Sequence, residues 1–336
     1  MSSSTPLHRR NFVKGAAGLA GALLLPRIPT FAAKSDQWGD VLPTRTLGKT
    51  GLDVTVYCIG GHHIGDKSEQ VAKASIDVCI QKGVRFIDTA ESYQRGRSEE
   101  LIGRFLEPKY REQVQLLTKT KSIDGESVRR DIKKSLERLR TDYIDIYLMH
   151  SVNTIEDADN RLERGVYEAM LEAKKEGTIR HLGFSGHVTP EANNHLINKE
   201  LEGMSVMLCP VNVADPSYKS FILESIPLAQ KHNIGVLAMK SLAGGGFLGG
   251  KSVWGRLAGQ ERPELVPKFL SVEEAHRFAL SQPVASLVAG HDSIEQLEQN
   301  IAVAAASSMM SDSEREQLIQ KVASVASQGM NEHYKG

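Results

Sequence analysis

Residues 114–150 read VQLLTKTKSIDGESVRRDIKKSLERLRTDYIDIYLMH, and this stretch decides the fold. Val114 to Lys119 is a short, largely apolar run of the kind that forms a buried strand. Glu126 to Leu139 then places Val128, Ile132, Leu136 and Leu139 at helical spacing, the pattern of a helix with one buried face. Ile144 to His150 is a second, almost wholly apolar run. Strand, helix and strand in that order imply parallel pairing, because the chain must cross back before the second strand begins. Strands apolar on both faces also need cover on both sides.

The alternation continues in both directions. Strands are predicted at Val56 to Gly60, Arg85 to Thr89, His181 to Ser185, Val206 to Val211, Gly235 to Lys240 and Ala285 to Ala289, which brings the count to eight. Helical spacing recurs over Glu69 to Gln81, Leu162 to Glu176, Lys219 to Lys231, Val272 to Leu280 and Ile294 to Ala304. Eight such units point to an α/β fold of the closed (β/α)8 TIM-barrel type rather than to an open doubly wound sheet. Arg45 to Val56 reads as an N-terminal β-hairpin that could plug the barrel bottom, and Asp312 to Ser327 as a C-terminal helix. No Pro/Ser-rich linker divides residues 34–336, so they are expected to form one barrel domain. The longest connection without periodicity, Ser241 to Phe269, is glycine-rich, and a loop of that length in a compact barrel is usually functional.

A chain of 336 residues with 40% apolar and 24% charged residues is neither disordered nor a coiled coil. Lysine plus arginine equals aspartate plus glutamate at 41 each, which gives no electrostatic case for nucleic acid or an anionic membrane. The balance is uneven along the chain. Residues 1–33 hold Arg9, Arg10, Lys14 and Arg27 and no acid, so the remainder is acidic. Arg9-Arg10-Asn11-Phe12-Val13-Lys14, the apolar run Gly15 to Leu25 and the small residues near Ala33 form the pattern of a signal peptide. The paired arginines resemble the twin-arginine export signal, which implies a folded cargo, the twin-arginine translocation machinery as a partner and a periplasmic location. The run is too short and too diluted by Gly and Ala for a stable membrane anchor. Cys58, Cys79 and Cys209 lie in apolar segments, as buried thiols rather than a disulfide framework would.

Active sites of such barrels lie at the carboxyl ends of the strands. There the sequence offers Gly61, His62 and His63, then Asp88 and Tyr93, then Lys119, His150, Ser185-Gly186-His187, Asn212, Lys240 and Gly290-His291. Asp88, Lys119 and His150 end three consecutive strands and would share one mouth. A tyrosine is a weak acid at neutral pH, but an ammonium about 4 Å away contributes up to about 4 kcal/mol at an effective dielectric near 20. Lys119 is therefore expected to acidify Tyr93, Asp88 to hold Lys119, and His150 to orient a carbonyl or share the proton. A rival reading is a metal-dependent hydrolase using His62, His63, His150, His187 and His291. A third is a nucleotide-binding regulatory subunit without turnover.

Phe86-Ile87-Asp88-Thr89-Ala90-Glu91-Ser92-Tyr93, Leu117-Thr118-Lys119 and Ser135 to Asp145 leading to His150 resemble the aldo-keto reductases. Gly177 to Gly186, Leu242 to Gly245 and Gln296 to Asn300 extend the resemblance over nearly all of residues 34–336. It implies a (β/α)8 barrel that transfers hydride between NAD(P)H and an aldehyde, ketone or keto-sugar, without a metal. It assigns Tyr93 as the general acid, with Asp88, Lys119 and His150 supporting it. Toward the nucleotide it assigns Gly61, Ser185, Gly186, Met239, Lys240, Leu242, Gly244, Gly290, Gln296 and Asn300. Ser185 matches the residue that holds the nicotinamide carboxamide, while Gly186 and Leu208 replace the usual asparagine and glutamine, and Met239 replaces a stacking tyrosine. Leu242 to Lys251 resembles the pyrophosphate loop. NADP-preferring members often carry cations where this chain has Gly290 and Gln296, so NAD and NADP stay open as cofactors. Asp124 to Ser127, Val152 to Asp159 and Gly246 to Pro267 are the expected substrate loops, with Trp254 as an aromatic platform.

Overall fold

The computed structural model describes residues 34–336 except Trp254 and Ser307, so the expected export signal and the Trp254 platform lie outside the described residues. Eight parallel strands close into a barrel: β1 Tyr57–Gly60, β2 Phe86–Asp88, β3 Gln115–Thr120, β4 Ile144–Met149, β5 Ile179–Ser185, β6 Met204–Pro210, β7 Gly235–Met239 and β8 Ser286–Ala289. Each pairs with its neighbours in sequence, and β8 pairs with β1 to close the ring. Every strand lies within two residues of its expected position at either end. The outer layer consists of α1 Glu69–Gln81, α2 Arg97–Leu106, α3 Gly125–Leu139, α4 Val166–Lys175, α5 Pro190–Asn198, α6 Ile226–Lys231, α7 Val272–Leu280 and α8 Ile294–Ala306.

The two-residue period of the strands sorts their side chains. Cys58, Phe86, Leu117, Ile146, Leu148, Val206, Leu208, Leu237, Met239 and Val288 fill the barrel interior. Their alternates Ile59, Ile87, Leu116, Tyr147, Met149, Met207, Ala238 and Leu287 pack under the helices. The hairpin of Thr44–Thr46 and Asp53–Thr55 contributes Leu47 and Val54, both fully buried, to the interior cluster. Lys49 N donates to Asn233 O at 2.8 Å, just before β7 starts, so this hairpin plugs the barrel bottom as expected. The expected C-terminal helix is present as Asp312–Ala323. Cys58, Cys79 and Cys209 are buried and free. Among the described residues no helix is long and apolar enough to cross a membrane.

Several expectations change. Asp124 to Ser127 is not a free substrate loop, because the Asp124 carboxylate accepts from Ser127 N at 2.9 Å and caps α3. Thr154 likewise caps a helix at Ile155–Glu163, so the Val152 to Asp159 loop is largely helical. The helix expected over Leu162 to Glu176 is interrupted at Gly165, whose φ is 78°. Lys219 to Lys231 enters as a π-helical turn, Phe221–Ser225, before α6. Pro227 has no N–H to give to the carbonyl four residues back, which favours that wider turn. The Ser241 to Phe269 connection contains a hairpin, Leu248–Lys251 paired with Glu261–Glu264.

Candidate active site

Strand parity aims the chemistry inward. Asp88, Lys119 and His150 each lie two residues beyond an interior apolar residue, Phe86, Leu117 and Leu148, and so continue the interior face into the mouth. Tyr93 arrives from the turn after β2. The Lys119 ammonium meets Asp88 Oδ1 at 2.5 Å, donates to Thr89 O at 2.6 Å and to the Tyr93 phenol oxygen at 3.4 Å. The Tyr93 ring stands edge-on to His150 with centroids 5.7 Å apart and edge-on to His62 at 5.1 Å. His150 Nδ1 lies 3.4 Å from Ser92 Oγ. The four residues expected to act together are thus brought together.

The electrostatics depart from expectation at Tyr93. Burial outweighs the nearby ammonium and holds the phenol above its ordinary pKa, with Asp88 adding to the rise. Burial also opposes the Lys119 charge, but Asp88 and Tyr93 overcome it and keep that pKa above the usual lysine value. Burial raises Asp88 despite the pull of Lys119. His150 is pushed well below the ordinary histidine range, first by burial and then by Lys119, so it is a neutral imidazole at pH 7.

Around this quartet, Met239 and Leu208 form an apolar floor. Ser185 Oγ accepts from Ser151 N at 2.9 Å. A Cβ on Gly186 would lie 1.6 Å from Asn193 Oδ1, so the amide of Asn193 in α5 fills the space an asparagine at 186 would need. Gly61 N donates to Asp88 O at 2.7 Å and locks the turn after β1 to the quartet. Ala243, Gly244 and Gly245 after Leu242 are all left-handed, at φ of 51°, 60° and 84°, a bare-backbone loop beside the mouth.

The expected nucleotide residues beyond β8 are largely engaged with one another. Asn300 Nδ2 donates to Gly290 O at 3.2 Å while its Oδ1 meets His276 Nε2 at 3.1 Å, making Asn300 a support for the loop. Gln296 Oε1 accepts from Asp292 N at 2.8 Å. A Cβ on Gly290 would lie 2.0 Å from His63 Nδ1, so the imidazole occupies that flank. The five histidines of the metal reading do not converge. His291 turns away to Ser75 Oγ at 2.9 Å, and His187 is bound by Lys240 at 3.0 Å.

Sequence reasoning missed the segment Met330 to Gly336, which packs against the mouth. Asn212 donates to Glu332 Oε1 at 2.9 Å and to the Tyr334 hydroxyl at 3.1 Å. The Tyr334 ring centroid lies 5.2 Å from the Lys240 ammonium. Asn331 donates to Gly246 O at 2.9 Å and to Pro263 O at 2.7 Å, tying the glycine loop to the hairpin beyond it.

Residues 57–322 match the profile of the Aldo/keto reductase family. The chain belongs to the aldo/keto reductase family. It is similar to the Bacillus subtilis (strain 168) uncharacterized oxidoreductase YqkF, at 30% identity over 77% of this chain and 90% of that one. It is also similar to L-galactose dehydrogenase of Arabidopsis thaliana, at 25% identity over 77% of this chain and 86% of that one. The holo form of aldo-keto reductase AKR11C1 from Bacillus halodurans superposes with a TM-score of 0.69 and 27% identity, covering 87% of this chain and 99% of that one. As an aldo/keto reductase, the chain is an NAD(P)H-dependent oxidoreductase that interconverts a carbonyl and an alcohol. The apolar Met239–Leu208 floor and the bare-backbone loop beside it fit such a nucleotide.

Proposed function

We propose that Tyr93 is the proton donor for carbonyl reduction, with Lys119, Asp88 and His150 in support. The observation that carries this reading is a buried ammonium 2.5 Å from Asp88 and 3.4 Å from the Tyr93 oxygen. When bound, the nicotinamide nucleotide supplies or accepts the hydride. Because Lys119 donates to the phenol oxygen, the phenol proton is free to point at a substrate carbonyl. The raised pKa keeps that proton in place until charge develops on the carbonyl oxygen, and the ammonium then stabilises the phenolate left behind. Neutral His150 orients the carbonyl from the other side. Ser185, Met239, Leu242 and Gly244 hold the nucleotide, with Gly61, Gly290 and Asn300 shaping its channel. Tyr93→Phe is expected to lower kcat by about 10²–10⁴ with little change in nucleotide affinity, measured by steady-state kinetics and fluorescence titration. A loss below tenfold refutes the assignment.

NAD serves at least as well as NADP in this reading. What supports it is His63 against Gly290 and a Gln296 amide already bound to Asp292 N, where a guanidinium would be needed for bidentate phosphate contact. The enzyme is exported to the periplasm by the twin-arginine route with its nucleotide loaded and retained, so that an oxidisable and a reducible substrate visit the site in turn. The support is the Arg9-Arg10 leader in the sequence. Protein isolated from the periplasm should carry bound nucleotide, seen as reduced-nicotinamide absorbance after substrate alcohol is added. Cofactor-free, freely exchanging protein refutes retention.

A further inference from the structure

We infer that Lys240, held in place by His187, forms a subsite for an anionic group on the substrate, which makes carbonyl compounds bearing a carboxylate the favoured class. The inference rests on the carbonyl-reductase reading above. Lys240 follows Met239 at the end of β7 and takes a left-handed backbone, φ 58°, a conformation costly for a side chain of this kind and held at functional positions. Its ammonium turns into the mouth rather than out to solvent. There its partners are the Nδ1 of His187 at 3.0 Å and the sulfur of Met239 at 3.6 Å, with the Tyr334 ring beyond. Among the described residues it meets no carboxylate oxygen within ion-pair distance, and the nearby acid of the quartet, Asp88, is paired with Lys119 at 2.5 Å.

The bond from Lys240 also settles the state of His187. An imidazole that accepts at Nδ1 carries its hydrogen on Nε2. That Nε2 is buried and has no partner among the described residues. A cation with no carboxylate within ion-pair distance among the described residues, steadied by a neutral imidazole, therefore stands on one wall. The wall adjoins the chemistry: the His187 ring lies 5.8 Å from that of His150, which lies 5.7 Å from that of Tyr93. With one N–H on His187 and one toward the Met239 sulfur, the Lys240 ammonium keeps a third for a carboxylate oxygen.

The anion could instead be a phosphate of the nucleotide, and the experiment separates the two sources. Rates are measured for 4-carboxybenzaldehyde against its methyl ester and for D-glucuronate against D-glucose, with NADH and NADPH, in the wild type and in Lys240→Met and Lys240→Arg. Nucleotide Kd is read in parallel by fluorescence titration. The expected wild-type kcat/KM favours the carboxylate member by at least about tenfold, the scale of one modest charge-assisted contact. Lys240→Met is expected to bring that ratio near one, and Lys240→Arg to restore part of it. No wild-type preference overturns the subsite, as does a Lys240→Met protein that slows both members equally and weakens nucleotide binding. If Lys240→Met does not fold, the wild-type ratio and Lys240→Arg decide. Turnover of only the neutral members sinks the subsite alone, whereas no turnover of any carbonyl with either nucleotide sinks the reductase reading beneath it.

Discussion

At the scale of single residues, Tyr93 lies beside an ammonium and yet holds its proton more tightly than a free phenol, because removal from water costs the phenolate more than Lys119 returns. The sequence placed these two groups together, but the sign of the shift depends on burial, which only the folded chain reveals. Lys240 shows the same effect on a cation: burial first, then repulsion from Lys119, opposed by Asp88, brings it down to about 8. The groups facing it are Lys119, Asp88, His187, His150, His333 and Tyr334. Of these, His150 and His187 are pushed well below the ordinary histidine range, and burial raises Tyr334 well above the ordinary tyrosine value. Raising the pH through about 8 therefore discharges Lys240, while Tyr93 and Lys119, held above their ordinary values, and His150, held well below its own, keep their protonation. The expected outcome is a KM for 4-carboxybenzaldehyde that climbs above about pH 8, against a flat KM for its methyl ester. Parallel profiles for the two substrates would show that Lys240 does not face the carboxylate.

At the scale of elements, α1 and α7 were legible to the residue, because apolar residues recur at helical spacing around a single polar one on each buried face, Ser75 and His276, and Ser68 and Ser271 cap them. The helix α2 was not, since its buried face opens on two polar residues, Ser98 and the charged Glu99. Glu99 is fully buried, taking Thr118 Oγ1 at 2.7 Å and Arg138 at 3.0 Å, so a periodicity search meets an acid where it expects an apolar residue. Glycines at 186 and 290 were read as losses of a ligand. In the fold they are accommodations of Asn193, seven residues on in the next helix, and of His63 from the far end of the chain, whose side-chain positions no local pattern gives. This makes Gly290→Arg a double test. Alone it drives its Cβ into His63 and should lower Tm by several degrees. Combined with His63→Ala it should recover stability and tighten NADP binding by about tenfold relative to NAD, through a new guanidinium contact. Thermal melts and nucleotide titrations check both parts, and a stable single variant would show that His63 is not fixed there.

At the scale of the whole molecule, the order of eight strands could be read from hydrophobic runs alone, whereas the segment Met330 to Gly336 could not. Its polar residues Asn331, Glu332, His333 and Lys335 suggest a solvated end, yet all four are buried. Lys335 reaches Asp215 at 2.7 Å, Glu332 at 2.9 Å and the Tyr218 carbonyl at 2.8 Å, with no exposure for any of the three charged side chains. One ammonium thus binds the connection after β6 to a segment that also carries Tyr334 onto Asn212 and over Lys240. Removing one member of a buried network is worse than removing all of it, because the remaining charges stay desolvated without a partner. Lys335→Met should therefore cost about 3–5 kcal/mol in urea unfolding. The triple variant Lys335→Met, Asp215→Asn, Glu332→Gln should recover most of that loss, since it leaves no charge buried and its two new amides can still hydrogen-bond. The two proteins should differ in function as well. If the segment holds Tyr334 against the mouth, Lys335→Met loses preference for carboxylate substrates, and the triple variant regains it along with stability. Recovery of stability without recovery of preference would show that the network braces the fold but does not shape the site.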